Sequence, residues 1–100
     1  MLIVTTETPA YAVIMMQDQE DTPEAIAARL QAVREILGLS KREFAEKAGL
    51  SEQVYGPFEN ARRPLTLQAA KKLRSAYSLP YEFLFFGKVD DLPTRISREL

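Results

Sequence analysis

The chain predicts an all-α fold of five short helices, and three observations carry that prediction. Apolar residues recur at steps of three and four from Ile26 onward, hydroxyl residues stand where helices would begin, and glycines stand where they would end. The length of 100 residues, 46% of them hydrophobic and 27% charged, suits one folded domain with a modest core rather than a disordered or membrane chain.

Helix one starts at Thr22-Pro23. A threonine can cap the first free N–H groups, and a proline at the first helical position loses little, because its missing N–H would have no partner there. Ile26, Leu30, Val33 and Leu37 then form one apolar stripe, and Gly38 supplies the stop. Ser40 begins helix two with Glu43 three residues on, the spacing of a capping box. That helix ends at Gly49, with Phe44, Ala45 and Ala48 facing inward. Ser51 caps helix three, whose buried side is Tyr55 and Phe58. Two short helices joined by Gly49-Leu50-Ser51 make a tight helix-turn-helix. Thr66 opens a fourth helix through Tyr77, with Leu67, Ala70, Leu73 and Tyr77 on one face and Lys71, Lys72 and Arg74 as a solvated face. Pro80 opens the fifth, closed by Gly87, and Phe83, Leu84 and Phe86 are expected to complete the core.

Gly56-Pro57 interrupts helix three. With Ser51 as the cap, Pro57 falls beyond the first turn, forfeits the bond to the Gln53 carbonyl and crowds it, at about 3 kcal/mol. The residue before a proline is normally pushed out of helical angles by a clash involving its Cβ, an atom that glycine lacks. The pair predicts a kinked or tightened helix, or one that breaks after Tyr55 and restarts at Pro57.

Residues 22–87 thus form the domain. Before them, residues 2–6 and 11–16 are β-prone and separated by Thr8-Pro9-Ala10, so residues 1–21 are an arm that can form a short β-hairpin. A lone hairpin is marginal in water, and the arm either pairs with a second copy, packs on its own domain or stays disordered. After the domain, residues 88–100 are a tail in which Leu92, Ile96 and Leu100 make a stripe too short to hold as a helix unless it docks.

Composition excludes much chemistry. There are no cysteines and no histidines, which removes disulfides, thiolate metal sites, cysteine nucleophiles and the commonest general base and metal ligand. No catalytic residues, metal or cofactor are predicted. The apolar opening lacks a basic first region and is broken by Glu7 and Pro9, and nothing approaches the ~20 apolar residues that span a bilayer. The expectation is a cytoplasmic protein with no membrane contact. Net charge is −1, but the bases Lys41, Arg42, Lys47, Arg62, Arg63, Lys71, Lys72 and Arg74 outnumber Glu43, Glu46, Glu52 and Glu59 between residues 40 and 75. A local basic cluster can hold phosphates in an acidic chain, since screening confines charge effects to roughly 8 Å.

Several fixed spacings coincide: Phe44-Ala45, Gly49-Leu50-Ser51, Phe58-Glu59-Asn60, and a basic loop ending at Pro64. Through them residues 23–87 resemble the phage repressor and Cro-like (XRE) helix-turn-helix family. The resemblance implies a five-helix, lambda-repressor-like bundle that inserts its third helix into the major groove of double-stranded DNA. Groove geometry assigns the roles. Gln53 can both accept from and donate to adenine, Glu52 can accept from cytosine N4, and Val54 can meet a thymine methyl. Lys41 and Arg42 would sit over phosphates, with the helix ends at Ser40 and Ser51 offering N–H groups to the same oxygens. Arg62 and Arg63, with Asn60, would hold the backbone beyond helix three.

The chain departs from the family pattern at two places. Gly56-Pro57 replaces polar or basic side chains, so base reading moves to residues 52–54. Ala61 stands where glycine is common, and Asn60 is expected to take the left-handed turn instead. The function expected is a DNA-binding transcriptional regulator, a repressor acting as a homodimer through the arm or the tail. The alternative is an antitoxin-like or adaptor module that keeps the fold, binds DNA weakly or not at all, and holds a partner protein through the arm.

Overall fold

The computed structural model describes residues 22–89 and 92–99. The proposed β arm lies outside these residues, as does Leu100. Among the described residues are six helices: α1 (Pro23–Leu37), α2 (Lys41–Lys47), α3 (Glu52–Glu59), α4 (Leu67–Tyr77), α5 (Tyr81–Phe86) and α6 (Thr94–Ser97).

Four helices begin on a hydroxyl cap. Thr22, Ser40, Ser51 and Thr66 accept from the backbone N–H groups of Ala25, Glu43, Val54 and Ala69 at 3.1–3.2 Å, each satisfying a donor that has no partner inside the helix. At α2 the box closes in both directions, the Ser40 N–H donating to Glu43 at 2.9 Å. Those bonds favour the ionised Glu43 carboxyl and hold it below the usual carboxylate range.

α1 runs through the bundle and packs on α3, α5 and α6, while α2 packs on α3 and α4 on α5. Leu30, Val33, Phe44, Leu73, Leu79, Phe83 and Leu84 are fully enclosed where these faces meet. Each such side chain contributes on the order of 1.5–3 kcal/mol by leaving water. Arg29 is enclosed as well, its Nη1 donating to the Leu84 carbonyl at 3.1 Å and so tying α1 to α5.

Four sequence-based expectations need correction. Leu67 is 56% exposed and Phe86 48% exposed, so neither is core; the apolar stripes of α4 and α5 are wider than the surface that covers them. Of the alternatives at Gly56-Pro57, the break after Tyr55 does not occur: α3 is continuous with Pro57 inside it. Its ends hold it, since the Tyr55 N–H donates to the Ser51 carbonyl and the Asn60 N–H to the Gly56 carbonyl, both at 3.0 Å. Finally, Asn60 has φ −93° and Ala61 takes the left-handed turn at φ 61°. Asn60 is still bonded to the helix as its C-cap, so the reversal falls on the next residue, at roughly 1–2 kcal/mol for an alanine.

The stripe near the C-terminus does dock. Leu92 and Ile96 join the same core as α1 and α5, and α6 lies against α1. A helix of four residues has no stability of its own, so this burial is what holds it. Ile96→Ala is expected to lower the unfolding free energy by about 2–3 kcal/mol in urea denaturation, against no measurable loss for Arg95→Ala on the exposed side.

Candidate nucleic-acid interface

The α2–turn–α3 unit depends on Gly49. Its φ of 77° lies in the left-handed region that glycine enters without penalty, and the chain there turns so that the Leu50 N–H donates back to the Ala45 carbonyl at 2.9 Å. The unit is braced from behind by α4. The Phe44 ring stacks on Tyr77 with centroids 4.4 Å apart, and the Tyr77 hydroxyl donates to the Phe44 carbonyl at 2.7 Å. Lys72 donates from Nζ to the Gly49 carbonyl at 3.3 Å, so this lysine braces the turn as well as facing solvent.

A second brace links α1 to the end of α3. Glu59 is buried, and its carboxylate accepts from Arg34 Nη2 at 2.9 Å, from Arg34 Nε at 3.0 Å and from the Tyr55 hydroxyl at 2.7 Å. Arg34 Nη1 reaches onward to the Leu39 carbonyl at 2.9 Å. The hydrogen bond to Glu59 raises the Arg34 guanidinium above its ordinary value. Burial, and then the bond to Glu59, push the Tyr55 phenol well above its own. A buried pair of this kind adds little net stability, but stranding one partner costs about 3–5 kcal/mol. Sequence reasoning counted Glu59 only as one of the acids outnumbered by bases between residues 40 and 75 and gave it no partner. The signal that could have placed it was its spacing, one helical turn beyond buried Tyr55.

With α3 held at both ends, its first turn points outward. Ser51, Glu52 and Gln53 are exposed, and Val54 is 49% exposed, a large apolar side chain left in water. Arg62 and Arg63 are exposed beyond the other end of α3. Their backbone N–H groups both donate to the Pro57 carbonyl, at 2.9 and 3.2 Å, leaving the guanidinium groups to act outward. Lys41 is half-buried, and its Nζ donates to Asn60 Oδ1 at 3.3 Å, joining the start of α2 to the end of α3. Arg42 is exposed and pairs with Glu46 at 3.2 Å, an exposed helical pair worth only about 0.3–0.5 kcal/mol and easily exchanged. The Ser40 N–H is taken by the capping box, while its hydroxyl oxygen accepts from the Glu43 N–H and keeps its own proton to donate.

Gln53, Val54 and Arg63 come together on one open groove of about 600 Å³, which Pro57, Phe58 and Pro64 also line. Burial of Glu59 against Arg34 and pairing of Glu46 with Arg42 leave Glu52 as the acid on the outward turn of α3. Among the described residues no helix is long and apolar enough to cross a membrane.

Comparison with known families matches residues 30–84 to a model described as helix-turn-helix, a span that contains α2, its turn and α3 entire. Comparisons with curated proteins and with solved structures gave no significant match.

Two outcomes follow from the geometry of α3. Pro57→Ala restores the donor to the Gln53 carbonyl, and the midpoint of urea unfolding should rise by the equivalent of about 1–3 kcal/mol. The Tyr55 phenol has a folded value above the ordinary 10.0, so its share of stability is complete below about pH 10 and is lost as pH climbs past it, when only the unfolded chain sheds the proton. Denaturation midpoints measured from pH 8 to 11.5 should fall less steeply in Tyr55→Phe than in the parent.

Proposed function

Since the chain belongs to the helix-turn-helix family of XRE, Cro-like type, a family of DNA-binding regulators, we propose that it is a sequence-specific transcriptional repressor that reads the major groove with the first turn of α3 as a homodimer. The observation that carries this reading is the exposed turn Ser51–Val54, accompanied in the same unit by half-buried Lys41 and exposed Arg42, Arg62 and Arg63, with Glu59 withdrawn into the interior.

The roles follow from reach and chemistry. Gln53 offers a paired donor and acceptor to adenine, Glu52 an acceptor to cytosine N4, and Val54 an apolar contact to thymine. Arg62 and Arg63 hold phosphates by side chain alone, because their backbone donors are spent on Pro57. Arg42 exchanges Glu46 for a phosphate at small cost, and Lys41 with Asn60 acts at the seam between α2 and α3. The Ser51 end of α3 faces the backbone with its first N–H groups. One such domain reads few base pairs, so two copies on half-sites about 34 Å apart supply usable affinity.

A second reading, a partner-binding module with weak DNA affinity, draws on Phe86 and Val89, which stay 48% and 42% exposed at one end of the bundle. Retention of genomic DNA fragments across a salt series separates the two. The repressor reading expects specific retention that weakens steeply with salt, and a slope of log K against log salt about two units shallower in Arg62→Ala/Arg63→Ala. Weak retention that does not distinguish sequences would favour the module.

A further inference from the structure

We propose that Tyr77 is a positioning residue for DNA reading: standing on α4 and touching no DNA itself, it fixes the angle at which α2 and α3 meet the duplex, while Lys72 holds the turn between them. The inference rests on the DNA-binding reading above and says what aligns that surface.

The end of α2 needs outside help. Its seven residues finish in a tightened turn, with the Ala48 N–H donating to the Ala45 carbonyl and the Gly49 N–H to the Glu46 carbonyl, both at 3.0 Å. In a regular α-helix the Ala48 N–H would go to Phe44, so the Phe44 carbonyl has to find another donor. The Tyr77 hydroxyl supplies it at 2.7 Å, and the same ring lies on the Phe44 ring with centroids 4.4 Å apart and planes 6° from parallel. One side chain of α4 thus holds α2 both by its backbone and by its apolar face.

The hold passes on to α3. Phe44 is fully enclosed and also packs against the Tyr55 ring of α3, 5.3 Å away at 58°. Tyr77, Phe44 and Tyr55 therefore form a row across α4, α2 and α3, and α4 is its firm end, eleven residues long and capped by Thr66. Five residues before Tyr77 on the same helix, Lys72 donates to the Gly49 carbonyl at 3.3 Å, at the left-handed turn that joins the two reading helices. Tyr77 is half-buried and has spent its one proton on Phe44, so it acts through α2 rather than on phosphate. A reading helix that rocks holds its competent pose only part of the time, and apparent affinity falls by that fraction. Non-specific binding asks only for charge and is indifferent to the angle.

The test compares the full chain with Tyr77→Phe, which keeps the stacked ring and removes the donor. Each is titrated with a duplex recovered by selection from a random pool and with a scrambled duplex of the same length, across a salt series. Tyr77→Phe should bind the selected duplex about threefold to tenfold more weakly, the effect of one hydrogen bond. It should bind the scrambled duplex as the parent does and keep the parent's slope of log K against log salt. Lys72→Ala should behave in the same way, and Lys72→Arg, which keeps a donor, should recover most of the affinity. Undiminished binding of the selected duplex by Tyr77→Phe overturns the inference and leaves the repressor reading standing. An equal loss on both duplexes, the mark of a chain that is simply less folded, overturns it too. A slope about one unit shallower in Lys72→Ala makes that lysine a phosphate contact and removes it from the brace. Failure to enrich any duplex removes both readings together.

Discussion

Burial of the Glu59 carboxylate is the constraint from which the rest of the helix-turn-helix takes its geometry. A charge in that position has to be met by fixed donors, and Arg34 from α1 and Tyr55 from within α3 meet it at 2.7–3.0 Å. The fork of Arg34 also reaches the Leu39 carbonyl at the start of the link into α2. One side chain therefore sets where α2 begins relative to where α3 ends. The pair adds orientation more than stability, and orientation is what a groove-reading helix requires. It also keeps one carboxylate away from a surface that has to meet polyanion.

Pro57 makes α3 a helix of two unlike halves. Its first turn is polar, capped and outward; its second is apolar, lacks one backbone bond and borders an open groove. Gly56 eases their coexistence in one continuous helix, since part of the clash that normally ejects the residue before a proline comes from its Cβ. The Pro57 carbonyl then gathers the N–H groups of both arginines that follow, so the interrupted half also anchors the basic loop.

What was legible in the sequence was local. Caps at Thr22, Ser40, Ser51 and Thr66, the capping box at Ser40-Glu43 and the stops at Gly38 and Gly87 are decided by neighbours within four residues, and all form. Inward faces such as Ile26, Leu30, Val33, Phe44, Tyr55 and Phe58 followed from spacing, because a helix repeats regardless of its surroundings. What required the third dimension was less accessible. Leu67 and Phe86 lie on the right faces but beyond the edge of the neighbouring helix. Arg29, Arg34 and Glu59 look like surface charges in a string, and only their steps from Ile26, Leu30 and Tyr55 hint that they turn inward. The span from Leu92 to Ile96 could be judged only by whether a surface waited to receive it. For the proposed reading surface, the sequence marked the turn at residues 52–54, which is exposed; the groove beside it, formed by Pro57, Phe58 and Pro64 from two elements, was not visible along the chain.

The emptiness around Gly56 bears on how this scaffold can evolve. A Cβ there would meet no atom of another element within 4 Å, but it would meet the adjoining proline ring, so a substitution strains the helix itself rather than its packing. Positions 56 and 57 are thereby tied in descent: a side chain is gained at one without bending the helix only if the ring is lost from the other.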